Sequence, residues 1–357
     1  MLYFKWWLCM RIAIDKDSVK AIKPNNEYIY LFDDEPLEEL LELNLHCLNY
    51  KECDYVDINL SKYDIECLKK ASIKDKDYDK IPKKKNYKYA IIIPNCNNDH
   101  GNYNGKSFLR NCIESVLNQT YKNFELIIID DCSTDTSVST ILEYASDKRV
   151  HLINNKRKRY NGGSRNVGID YAIDNFDFDY FCFLDSDDWW KHNKVLELIN
   201  SRLYEHDMAL LGMELIDNNG VFMTKNHQYE NYQDFFLSDN KVWCTAWARV
   251  IKKDKIVHFC EDTLMEDRVW SYRQADQIDD LNKVVNIKHS CYVWNRTNTT
   301  NSVSMVRNSY WNASAWCHIG HQLQLLSQLR HKEMIPILEQ RIQECIRKVN
   351  IGTYQQY

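Results

Sequence analysis

Phe183-Leu184-Asp185-Ser186-Asp187-Asp188-Trp189-Trp190 sets three carboxylates behind the apolar run Tyr180 to Leu184, which has the length and composition of a buried strand. An open α/β sheet binds its ligands outside the carboxyl ends of its strands, so this stretch predicts both a fold and the place of its chemistry. A helix cap or Asp-rich turn would need only one of these acids. Three of them behind a buried strand predict a hard-cation site beside a phosphorylated ligand.

Upstream, Tyr89-Ala-Ile-Ile-Ile-Pro94 is a continuous apolar run closed by proline, as expected of a strand covered on both faces. Polar residues Asn95 to Lys106 follow, then a helix from Ser107 to Gln119 that buries Leu109, Cys112, Ile113, Val116 and Leu117. Phe124 to Ile129 forms the second strand and empties into Asp130-Asp131-Cys132-Ser133-Thr134-Asp135. A helix from Ser137 to Ala145, a strand from Val150 to Ile153 and a helix from Gly163 to Asp174 complete the approach to the acidic motif. Successive β-α-β units imply parallel strands joined by right-handed crossovers. The acid-rich loops at Asp130 and Asp185 therefore leave one edge of one sheet.

Residues 1–85 are expected to form a separate accessory α/β unit, with strands at Tyr3 to Ile14 and Glu27 to Phe32 and a helix from Pro36 to Leu48. The charged segment Asp75 to Lys88, centred on Lys83-Lys84-Lys85, is its linker to a main domain at 86–304. In the second half, Met208 to Ile216 and Gly220 to Thr224 predict a strand pair, Trp243 to Ile251 a strand or helix start, Val269 to Gln274 a helix and Val284 to Trp294 a closing strand. Residues 305–357 predict a helical region with Ile319, Leu323, Leu326 and Leu329 on one apolar face, followed by a helix through Ile335, Leu338, Ile342 and Ile346.

A net charge of -5, from 46 basic and 51 acidic residues, gives no case for a nucleic-acid partner. The 13 cysteines contain no C-x-x-C pair, which removes the zinc-ribbon and thioredoxin readings and fits a reducing cytoplasm. Leu2 to Ile14 is broken by Lys5 and Arg11 and is too short to span a bilayer, so the expected location is cytoplasmic, with the inner face of the membrane left open.

Asp185 and Asp187 have the alternating spacing that lets two carboxylates share one side of an extended turn, with Asp188 as a third oxygen or a loop anchor. Oxygen donors suit Mg²⁺ or Mn²⁺, whose remaining ligands come from substrate phosphates and water. Arg165, early in a helix after Asn161-Gly162-Gly163, is placed with Lys158 and Arg159 to neutralise a diphosphate. Asp131 is placed to accept hydrogen bonds from a base or ribose. No G-x-G-x-x-G follows the first strand, no G-x-x-x-x-G-K-[ST] P-loop occurs and no H-E-x-x-H is present, so NAD binding, ATPase action and zinc hydrolysis lose their usual support.

Together Tyr89 to Pro94, Ser115-Val-Leu-Asn-Gln-Thr-Tyr121, Glu125 to Asp135, Gly163-Ser-Arg-Asn-Val-Gly168 and Phe183 to Asp188 resemble the family 2 glycosyltransferases of the GT-A fold, in order and spacing. The resemblance covers roughly Tyr89 to Ser304. It implies a mixed, mainly parallel sheet flanked by helices, with Pro94 and Asn95 lining the base site, Asp131 on the nucleotide, Asp187 as principal metal ligand, and Asp185 and Ser186 facing ribose or sugar. Cys96 stands where such proteins often carry an aromatic residue. Tyr292-Val-Trp-Asn-Arg296 resembles the segment that closes over the diphosphate, which gives Arg296 its expected role. Of two acid pairs, Glu261-Asp262 and Glu266-Asp267, the second is followed by an apolar helix with a basic residue, which makes Asp267 the expected catalytic base.

The implied function is inverting transfer of a sugar from a UDP-hexose or UDP-N-acetylhexosamine to a hydroxyl of a glycan, glycolipid or surface polymer. Two other readings stay open: a sugar-phosphate nucleotidyltransferase, which would carry a Gly-rich basic segment after the first strand, and a non-catalytic sugar-binding protein on a degenerate fold. Peripheral membrane contact and pairing of subunits through the C-terminal helices are further open expectations.

Overall fold

A computed structural model describes residues 86–156, 160–203, 206–216, 222–225, 246–247, 249–280, 283–297 and 309–350. The chain divides into two compact units, Met1–Lys85 and Asn86–Tyr357. The elements expected in the first unit lie outside the described residues, as do Lys158, Arg159, Gly220 and Ser302 to Ser304.

In the second unit the strands are β1 (Tyr89–Asn95), β2 (Phe124–Asp130), β3 (Val150–Asn154), β4 (Tyr180–Phe183), β5 (Trp189–Trp190), β6 (Met208–Ile216), β7 (Phe222–Lys225), β8 (Arg249–Lys252) and β9 (Val284–Asn295). They form one sheet in the order β3-β2-β1-β4-β8-β6-β9-β5, with β7 on the flank of β6. From β3 to β4 every pairing is parallel. Beyond β4 the sheet is mixed: β8 runs antiparallel to β4 and β6, whereas β9 is parallel to β6 and antiparallel to β5. The helices are α1 (Phe108–Leu117), α2 (Ser137–Leu142), α3 (Asn161–Asn175), α4 (Val195–Arg202), α5 (Glu266–Ala275), α6 (Ser309–Gln328) and α7 (Ile335–Asn350).

Every residue of β1 is buried, which explains its unbroken apolar sequence. Ala90 and Ile92 share a core with Ile169 and Ala172 of α3, Trp270 of α5, Ile319 and Leu325 of α6, and Leu338 of α7. Gly168 lets α3 sit directly on the sheet, since a Cβ there would lie 2.6 Å from Ile92 Cγ2. Gly168→Ala is therefore expected to cost about 1–3 kcal/mol, as overpacking does in well-filled cores, measured as a lower urea midpoint at unchanged slope.

The structure moves several expected boundaries. Pro94 does not end β1; it pairs with Ile129, and the strand runs on to Asn95. Even-numbered β1 residues turn their backbone groups toward β4, as Ile92 O accepts from Leu184 N, and β4 has already ended at Phe183. The N–H that proline lacks therefore has no strand to meet. Leu323 is 51 % exposed rather than on the apolar face of α6, because the buried line of that helix follows Ala315, Ile319 and Leu325 and continues to Leu329 just past its end. The acids Glu266 and Asp267 open α5, which starts ahead of the expected Val269. At that position they meet the positive end of the helix dipole.

Candidate active site

The turn after β4 is stapled to the far side of the sheet. Tyr292 Oη donates to Asp188 Oδ2 at 2.6 Å and Asn295 N donates to Asp188 Oδ1 at 2.7 Å. Asn295 Nδ2 reaches the Asp187 carbonyl at 3.0 Å, and Asn98 Nδ2 donates to Ser186 Oγ at 2.6 Å. Asp188 is thus a buried anchor for the turn, and burial followed by the charges of Asp187 and Asp185 pushes its carboxyl well above the usual range. None of these bonds engages the Asp187 carboxylate. Burial, then Asp185, pushes that group up to about 7.

Arg165 projects from the first turn of α3 into the same edge and is 1 % exposed. Its Nη2 donates to Asp185 Oδ1 at 2.7 Å, while Nη1 donates to Glu266 Oε1 at 2.7 Å and to Asp267 Oδ1 at 3.1 Å. Burial opposes the guanidinium charge, but Asp267, Asp185 and Glu266 hold it protonated. For Asp267 the balance runs the other way: burial outweighs Arg165, Glu266 and Asp185 add to it, and the carboxyl rises to about 8. One guanidinium therefore joins the acid that ends β4 to the acid pair that opens α5, although about 80 residues separate them in sequence (Asp185 to Asp267).

At the neighbouring strand ends, Asn95 O accepts from Asp131 N at 2.8 Å, and Asn155 Nδ2 donates to Asp131 Oδ1 at 3.0 Å and to Ser164 Oγ at 2.9 Å. Asn95 Nδ2 bonds Asp130 Oδ1 and Ser133 Oγ, leaving Asn95 Oδ1 buried without a hydrogen-bond partner. Cys132, at φ 58°, turns the chain here in the left-handed region that non-glycine residues seldom occupy.

Asp131, Asp185, Ser186, Asp187, Asp188, Arg165 and Asp267 thus share the carboxyl edge of the parallel strands or the turn of α5 that meets it. Pro94 lies one residue back from that edge. Arg296 sits elsewhere in its immediate contacts: its guanidinium lies 4.8 Å from the centroid of the Trp294 ring and its N–H bonds Ile216 O at 2.9 Å. The other acid pair is engaged differently, with Glu261 accepting from Asn166 and Asp262 facing His321. Tyr292, Asn295 and Asn155 escaped the sequence reading as individual site residues. The signal for Asn155 was available, since it follows the end of β3 as Asp131 follows that of β2.

Among the described residues no set of three His, Cys, Asp or Glu side chains forms a cage for a metal. A hard cation completed by diphosphate and water needs only one or two protein carboxylates, and Asp187 with Asp185 supplies oxygen donors whose mutual repulsion such an ion would relieve. The residues fit the group. Because Asp187 has its folded carboxyl raised to about 7, its ionised form destabilises the fold above that pH, and the cost disappears below about pH 4, where both states are protonated. Asp187→Asn should therefore raise Tm by about 2–4 °C at pH 8 in the absence of divalent ions and leave it unchanged at pH 4, as read by calorimetry.

A parallel β-α-β half, a mixed second half and flanking helices give an architecture similar to that of the GT-A glycosyltransferases. Residues 90–259 match the model of glycosyl transferase family 2. Over 137 residues the chain is 36 % identical to the UDP-Glc:alpha-D-GlcNAc-diphosphoundecaprenol beta-1,3-glucosyltransferase WfgD of Escherichia coli, covering 38 % of this chain and 49 % of that protein. It is 34 % identical over 94 residues to the putative teichuronic acid biosynthesis glycosyltransferase TuaG of Bacillus subtilis, covering 26 % and 36 % of the two chains. These matches span about half, or less, of the length of the relatives. The fold is shared with residues 1-349 of TarS from S. aureus, solved with UDP-GlcNAc, at a TM-score of 0.52 and 16 % identity over 66 % of each chain.

Proposed function

We propose that this domain transfers a hexose from a UDP-sugar to a hydroxyl of a lipid-linked or surface glycan by single displacement with inversion. The observation that carries the reading is the Arg165 bridge, which brings Asp185 of the donor-side turn and Asp267 of α5 onto one guanidinium. Asp267 takes the proton from the acceptor hydroxyl as its oxygen bonds to the anomeric carbon, and the bond from that carbon to the diphosphate oxygen breaks, releasing UDP. A carboxyl raised to about 8 is well matched to this work, because a base is most effective when its pKa lies near the working pH.

Asp131 and Asn155 suit the ribose, and the buried Asn95 Oδ1 suits an N–H of the base. When bound, Mg²⁺ or Mn²⁺ on Asp187 and Asp185 would neutralise charge on the leaving diphosphate. Arg165 and the helix-opening glycines beside it then serve the acids rather than a phosphate directly. The names of the E. coli relatives WfgD and WfaP, both UDP-Glc:alpha-D-GlcNAc-diphosphoundecaprenol beta-1,3-glucosyltransferases, favour UDP-glucose and a diphospholipid-linked acceptor. No helix of the described residues is long and apolar enough to cross a membrane.

Incubation with a panel of UDP- and GDP-sugars, Mn²⁺ and a synthetic GlcNAc-diphospholipid tests the reading. UDP release that depends on the acceptor is expected. Pyrophosphate release from UTP and a sugar 1-phosphate, with no UDP from any sugar nucleotide, would point instead to a nucleotidyltransferase.

A further inference from the structure

Helix α6 and the residues just past it lie beyond the part matched by the family model, yet together they hold both ends of α5, whose first turn carries Asp267. The chain between Phe259 and Met265 leads directly into α5 and is held from two sides. On the α3 side, Asn166 pairs with the Phe259 backbone through both amide atoms at 2.8 and 3.0 Å and donates to Glu261 Oε1 at 2.8 Å. Gly162 leaves room for the Cys260 carbonyl, which a Cβ there would strike.

On the other side, α6 takes the next three residues in turn. His321 Nε2 meets Asp262 Oδ1 at 2.6 Å, Thr263 Oγ1 bonds the Ser314 carbonyl at 3.1 Å, and Ser314 Oγ accepts from Leu264 N at 2.6 Å. Hydrogen bonding to the Cys260 side chain, then the Asp262 carboxylate, pushes His321 upward, to about 9, against the effect of burial. At the far end of α5, Asp276 accepts from Arg330 N and His331 N, each at 2.9 Å, just past the end of α6. Helices α5 and α6 also share the apolar core through Trp270, Ala315 and Ile319.

We propose that α6 is the positioning brace of the catalytic base, and that the ion pair between His321 and Asp262 is the contact through which it sets the entry of α5 and hence the place of the Asp267 carboxylate. His321 and Ser314 touch neither the acids of the donor-side turn nor Arg165 in the bonds described, so they act on turnover through α5. The inference rests on Asp267 being the base, as argued above. Small displacements of a reacting group lower the rate steeply while leaving binding of the other substrate intact.

The test uses the full chain with Mn²⁺, UDP-glucose and a GlcNAc-diphospholipid, or whichever pair the panel above identifies. Wild type, His321→Ala, His321→Gln, Asp262→Ala and the double alanine variant are compared well below their Tm. The brace predicts a kcat at least about 10-fold lower for His321→Ala, with donor KM within about twofold. The double variant should be no worse than either single one, because the pair acts as a unit, and His321→Gln, still able to donate to Asp262, should recover most of the loss. An unchanged kcat in His321→Ala overturns the brace, as does a donor KM that rises in step with the fall in kcat. Ser314→Ala, which removes only a hydroxyl, gives a second reading if the histidine variants fail to fold; full activity there also overturns it. Failure of the wild type to turn over any sugar nucleotide would instead strike at the underlying function.

Discussion

Asp267→Asn is expected to lower transfer at least about 1,000-fold while leaving UDP-sugar affinity within about threefold. Asparagine keeps the size of the side chain and an oxygen that can accept from Arg165 Nη1, so the bridge to Glu266 and Asp185 stays in place. What it removes is the proton sink. The acceptor hydroxyl must then lose its proton to water in the transition state, and general-base assistance of this kind is worth about 100- to 10,000-fold. Stopped assays of UDP release, paired with calorimetric binding of the UDP-sugar, separate the two quantities. Asp262→Asn is the comparison: its Oδ1 can still accept from His321, so a loss no larger than that of His321→Gln, and far smaller than that of Asp267→Asn, is expected there. Were Asp262→Asn the inactive variant and Asp267→Asn the active one, the base would belong to the other acid pair.

The second large effect belongs to Arg165. Substitution by methionine fills much of the same volume but leaves Asp185, Glu266 and Asp267 without the buried guanidinium that joins them. Breaking a buried ion pair from one side costs about 3–5 kcal/mol, because the abandoned charge remains desolvated. Arg165 lowers the carboxyls of Asp267 and Glu266, so its loss raises both further. Protonation then relieves the repulsion, and the sign of the pH dependence follows: Arg165→Met should be most destabilised at about pH 8 and recover stability toward about pH 5, as the carboxyls take up protons. Urea titrations at the two pH values measure this. Equal losses at both would mean that packing, and not charge, is what Arg165 provides.

The parallel half of the fold was legible because its inner strands β1, β2 and β4 are buried and nearly all apolar, as Tyr89 to Ile93 and Phe124 to Ile129 are apart from Glu125. The acids at the strand ends stood out against that background. The mixed half was less legible for a physical reason: β9 carries Lys288, His289 and Ser290 within one strand and shifts register against β6 near Gly212, so no clean period marks it. Two-residue β5, made of Trp189 and Trp190, is defined only by its partner strand β9.

For the site, residue types and strand-end positions found the acids but could not supply their partners. Arg165 was legible as a cation beside the glycines of α3, and its expected partner was a diphosphate. Its bonds to Asp185, Glu266 and Asp267 exist only because β4, α3 and α5 converge in space. Nor could any spacing rule link His321 to Asp262, a contact made across 59 residues.

A single displacement at the anomeric carbon with Asp267 as the base, as proposed, inverts that centre. Proton NMR of the glycosidic product, formed from an α-configured UDP-sugar that the protein turns over, tests it most directly. A β-linked product is expected from the wild type, and little or none from Asp267→Asn in the same time. An α-linked product, or a β-linked one formed equally well without the Asp267 carboxylate, would contradict it.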